Sequence, residues 1–141
     1  MRRGLTVVRN LVVALGLWVV YNLISGPIAY SWNRVMAGHY SAEPVWVIVK
    51  LMAWAIPFIP GAFVVGLGSA FLFESSSRRG WALGLAAFLG LLGVFDHARH
   101  AKLSDWPEWL GSLLFGAIVA SSCLLGWLVA GRLRAQENDA A

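Results

Sequence analysis

The sequence predicts an all-α fold: an integral membrane four-helix bundle with the N-terminus and C-terminus both cytoplasmic. Three observations predict it. Apolar residues make up 59% of the 141 positions and charged residues 13%, against roughly 45–50% and 25% in soluble domains. The apolar residues are gathered into four long stretches, about 11–30, 45–73, 81–101 and 109–131, and most charges stand in the connectors between them. At this length there is no reason to divide the chain, and residues 1–141 read as a single four-span domain.

The first stretch, Leu11 to Tyr30, has the ~20 residues that a spanning helix needs. It follows Met1-Arg2-Arg3, as a signal peptide would. Its apolar core is longer than the usual ~7–15 residues, however, and no small-x-small cleavage site follows cleanly, so it reads as a retained helix. The second stretch, Val45 to Phe73, would rise about 44 Å as one helix, against a hydrocarbon core of ~30 Å. It must tilt, kink or protrude. Pro57 and Pro60 interrupt it, and Pro57 both removes a backbone donor and clashes with the carbonyl four residues back. The third stretch is apolar only from Trp81 to Phe95. It becomes a full span if the helix continues from Asp96 through Ala101, the competing reading being a re-entrant segment. The fourth, Trp109 to Gly131, spans outright, and residues 134–141 read as a short polar tail, frayed and solvated.

Orientation follows from the cations. With the N-terminus inside, the cytoplasmic side carries Arg2, Arg3, Arg9, Arg78, Arg79, Arg132 and Arg134, against Arg34, Lys50, Arg99 and Lys102 outside. This obeys the positive-inside rule. The expected location is the cytoplasmic membrane of a bacterium. The pI near 9.8 does not indicate nucleic-acid binding, because the basic residues sit at the ends of apolar runs and form no basic face. Trp32, Trp46, Trp106 and Trp109, with Tyr30 and Tyr40, suit an outer aromatic belt, and Trp81 marks the inner boundary.

Helices in lipid associate by close backbone approach, which small residues four apart permit. The second stretch has Ala62, Gly66 and Ala70. The third has Ala82, Ala86 and Gly90, and the fourth has Ser112, Gly116 and Ala120, continued by Ser122, Gly126 and Ala130. Packing within one bundle is the expected use of these faces, a homodimer seam the competing one. The first stretch offers only Ala14 and Gly16, which makes it peripheral or turned toward a partner.

Polar residues are costly in lipid and so mark candidate positions. Asn22 needs partners, expected from Ser25 or a neighbouring helix. Lys50 can snorkel to the outer headgroups. Pro57 and Pro60 break the second helix, which suits a structural kink or, in a transporter, exposed backbone groups. On the outer side, Asp96 and His100 stand at i, i+4, and His97 and His100 at i, i+3, while His39 and Glu43 repeat the i, i+4 spacing. Two such pairs can hold a divalent metal such as zinc or act as acid and base. No HExxH or other motif requires a metal, and no cofactor is predicted beyond that one possibility. The single cysteine, Cys123, excludes an internal disulfide and a CxxC redox pair.

Three functional readings follow. The first is a non-enzymatic accessory or interaction subunit of a membrane complex, whose partners are the lipid bilayer and another membrane protein or a second copy of itself. The second is a minimal oligomeric transporter or channel lined by Asn22 and the proline break. The third is a membrane-surface metal-binding protein or enzyme using the outer His and carboxylate groups.

Overall fold

The computed structural model describes residues 2–36, 54–73, 77–100 and 106–140. Helix α1 runs Arg2–Met36, a 3-10 turn at Ile56–Phe58 leads into α2 at Ile59–Leu72, α3 is Arg78–His100 and α4 is Trp106–Ala140. No strand occurs among the described residues, and the fold is an all-α helical bundle. Among the described residues three helices are long and apolar enough to cross a membrane, over Gly4–Val35, Arg78–Arg99 and Trp109–Gln136. The apolar helix Ile56–Leu72 is shorter. The 14 residues of α2 rise about 21 Å, less than the ~30 Å hydrocarbon core.

Several boundaries differ from those read off hydropathy, because a helix ends where its hydrogen bonds end, and apolar character can stop earlier. Helix α1 extends the first stretch in both directions and passes through Pro27 without a break. The third stretch does continue through Asp96 to His100, giving a helix of 23 residues. The polar segment after Arg134 is helical as far as Ala140 where a frayed tail was expected. Arg, Ala, Gln and Glu there are good helix formers, and no glycine or proline follows Gly131 to stop them. The second stretch breaks at Pro57, where the 3-10 turn absorbs the missing donor and Pro57 itself is buried.

Helix α4 is the centre of the bundle, with α2 and α3 packed along it, and α1 lies outside, against α2 and the 3-10 turn. Only 17% of the most apolar part of α1 is buried, against 39% for α4. Close approach is concentrated at two crossings. A Cβ on Gly66 would overlap the Cys123 carbonyl oxygen, and one on Gly126 would overlap that of Phe63, so α2 and α4 meet backbone to backbone. A Cβ on Gly90 would lie 3.0 Å from the Gly116 carbonyl oxygen, which puts α3 against α4 in the same way. Ala62, Gly66 and Ala70 are buried, as are Ala82, Ala86, Gly90, Ser112 and Gly116, with Ala120 half-buried. Larger core side chains, Val65, Phe73, Leu89 and Val119, fill the space between the crossings.

Candidate functional site

Two polar regions stand out, one at each end of the bundle. At the first, α2 ends in the midst of its neighbours. The last carbonyls of a helix have no partner within it, and here they are met by arginines from the three other helices. Arg9 of α1 donates to the Leu72 carbonyl (3.2 Å), Arg134 of α4 to that of Ala70 (2.9 Å), and Arg78, at the start of α3, to that of Phe73 (3.1 Å). The Arg134 guanidinium also lies over the Phe71 ring, 4.7 Å from its centroid. Cations at a helix C-terminus are favoured by its dipole as well as by the hydrogen bonds. Beside them Asn10, fully buried, donates from Nδ2 to Ser77 Oγ at 3.1 Å. These contacts place the start of α1, the end of α2, the start of α3 and the end of α4 together. The helices therefore alternate in direction, with the start of α1 and the end of α4 toward the arginine-rich end.

The second region is a chamber at the opposite end. The 3-10 turn aims Phe58 between α1 and α4, where it meets Tyr21 (ring centroids 6.3 Å apart) and Phe115 edge-on (5.1 Å). His97 of α3 packs on Phe115 (5.6 Å) and Trp54 (6.2 Å), and its Nδ1 shares a 2.9 Å hydrogen bond with the buried hydroxyl of Ser112. An unbroken aromatic series thus joins α1, the 3-10 turn, α4 and α3. Two cavities open along it. One of about 220 Å³ is lined by Trp18, Tyr21, Asn22, Phe58, Asp96 and Phe115, among others. The other, of about 140 Å³, is bounded by Asn33, Trp54 and His97 and shares Phe58, Asp96 and Phe115 with the first. Asp96 is exposed, lines both and makes no hydrogen bond or ion pair with another described residue.

The residues singled out from the sequence are distributed unevenly. Asn22 lines the larger cavity, but its partner is not Ser25: its Nδ2 donates to the Trp18 carbonyl at 2.8 Å, four residues back on its own helix. Ser25 instead points at α2, with its hydroxyl buried and without a hydrogen-bond partner among the described residues. It fits because Gly61 has no side chain; a Cβ there would overlap Ser25 Oγ. Of the outer polar set, Asp96 and His97 are adjacent on α3 and both border the smaller cavity; His97 bonds Ser112 there, while Asp96 also lines the larger one. His39, Glu43 and Lys50 lie outside the described residues, as does the side chain of His100. Among the described residues no group of three or more His, Cys, Asp or Glu side chains is placed to hold a metal. Pro57 is buried and Pro60 is exposed.

The sequence reading missed the helix-capping role of Arg9, Arg78 and Arg134, which registered only as topology charges. It also missed Asn10, whose signal was an amide beside a charge about two turns inside a helix end. The chamber aromatics Tyr21, Phe58 and Phe115 carried no signal separable from ordinary apolar filling.

No protein-family model matches the chain, and no curated protein or solved structure is significantly similar to it. The apolar helices and their packing define its class, a helical membrane protein.

Proposed function

We propose that this chain is a small multi-pass protein of the bacterial cytoplasmic membrane that acts as a non-enzymatic interaction subunit. Its arginine-rich end faces the cytoplasm, and it seats a transmembrane helix of a second membrane protein in the groove between α1 and α3. The observation that carries this reading is the groove itself: about 440 Å³, apolar throughout, with Ala14, Leu15 and Trp18 on one wall and Trp81, Gly84 and Phe88 on the other. Glycine in a helix interior costs about 1 kcal/mol relative to alanine, and in a membrane that cost is offset where it admits another backbone. Gly66, Gly90, Gly116 and Gly126 are so used within the bundle. Gly80 and Gly84 of α3 repeat the four-residue spacing with nothing within 4 Å of either. Exposed Val12, Leu15 and Leu23 give α1 an apolar surface of the same kind.

The test is site-directed photo-crosslinking in native membranes. A photoreactive residue at Leu15, in the groove, is expected to capture one protein repeatedly. The same residue at Leu125, exposed on α4, is expected to capture lipid alone. Gly84→Leu places a side chain in the groove at a position where a Cβ meets nothing within 4 Å, and should reduce the Leu15 adduct at least tenfold while leaving the melting temperature unchanged. Lipid adducts alone at Leu15, or adducts only with a second copy of this chain, would overturn the proposal.

A further inference from the structure

We infer that the chamber around Asp96 is a binding site for a small organic ammonium cation. This inference is independent of the groove. Asp96 is exposed, lines both cavities, and makes no hydrogen bond or ion pair with another described residue. Around it are the rings of Trp18, Tyr21, Phe58 and Phe115, with Trp54 beyond them in the smaller cavity. Aromatic faces attract cations, and they do so best for weakly hydrated ones such as alkylammonium groups, which shed water readily. A carboxylate at the rim supplies the charge that an aromatic box alone lacks.

Other features of the lining agree in sign. Asn22 gives one amide N–H to the Trp18 carbonyl, and its amide oxygen is an acceptor on a residue that lines the cavity. No lysine or arginine lines either space. His97, which lines the smaller cavity, has its Nδ1 bound to Ser112 Oγ. An inorganic divalent ion would need several oxygen or nitrogen ligands at once, and no such group exists among the described residues. An anion would meet Asp96 directly. Depth also suits a cation that is partly apolar. Trp18 stands nine residues beyond Arg9 on α1, about 14 Å along the axis from the arginine-rich end. The larger cavity therefore reaches from the outer end of the bundle to near mid-membrane.

The experiment is a titration of the purified full chain in a neutral maltoside detergent at constant ionic strength. Tetraethylammonium chloride is the probe, intrinsic tryptophan fluorescence and calorimetry are the readouts, and 3,3-dimethylbutanol, with a quaternary carbon in place of the quaternary nitrogen, serves as an uncharged control. Saturable binding of tetraethylammonium is expected, with none of the alcohol. Asp96→Asn should weaken it at least tenfold, Asp96→Glu should retain most of it, and Trp18→Leu, altering a partly exposed ring, should weaken it several-fold. Melting temperatures near that of the parent chain establish that each variant is folded. Absence of saturable binding to the parent chain, equal affinity of Asp96→Asn, or equal binding of the alcohol would each overturn the inference. If Asp96→Asn fails to fold, loss of tetraethylammonium binding in Trp18→Leu decides the matter, and unchanged binding there overturns it.

Discussion

Gly66→Ala is expected to destabilise the bundle more than any other single-methyl change. The added carbon has nowhere to go. It would be driven into the Cys123 carbonyl, with the Trp127 nitrogen 3.0 Å away, and neither neighbour is a side chain that can rotate aside. Overpacking a tight core costs about 1–3 kcal/mol and occasionally more. With backbone on the far side the loss should sit at or above the top of that range, about 3 kcal/mol. Equilibrium unfolding of the purified chain, followed by circular dichroism as denaturing detergent is added, measures it. Gly84→Ala is the matched control: same chemistry, nothing within 4 Å. It should be neutral or gain up to about 1 kcal/mol from helix propensity. Equal behaviour of the two variants would mean that α2 and α4 do not cross at Gly66.

Arg134→Ala should come next, with a loss of about 1.5–3 kcal/mol, the range for hydrogen bonds that involve a charged group. Three contributions go at once. The Ala70 carbonyl loses its donor, the Phe71 ring loses the cation above it, and the C-terminus of α2 loses one of three positive charges facing its dipole. Arg134→Lys keeps the charge but not the planar fork, and should recover only part of the loss. Arg132→Ala, an exposed neighbour on the same helix, should stay within about 0.5 kcal/mol. The same unfolding measurement ranks them. If Arg132→Ala costs as much as Arg134→Ala, the effect is one of net charge and the cap contributes nothing of its own.

Much of the architecture was legible because the bilayer imposes a simple rule on sequence. Long apolar runs became helices, and the break at Pro57 appears where the ring removes a donor. Positions four apart with small side chains lie along the contacts of α2, α3 and α4. Helix ends were less legible. Hydropathy falls at the headgroups, while the hydrogen-bond ladder runs on, as it does from Arg134 to Ala140. The chamber was less legible still. Asp96 and His97 are neighbours in sequence, and spacing alone does not say that His97 bonds Ser112 while Asp96 lines both cavities. Tyr21, Phe58 and Phe115 are separated by tens of residues and come together only after three helices have packed.

The arginine cap also bears on how the protein is made. Helix α2 is short, and its seat is the groove of α4 at Gly126, with Arg134 closing its end from 64 positions further along the chain. During synthesis at about 5–20 residues per second, α2 therefore waits for several seconds without either. In that interval its neighbours are α1, through Arg9 and the contact at Gly61, and then the start of α3, through Arg78. Assembly is thus completed from the last helix inward. A nascent chain halted before residue 126 carries α2 without the helix along which it packs.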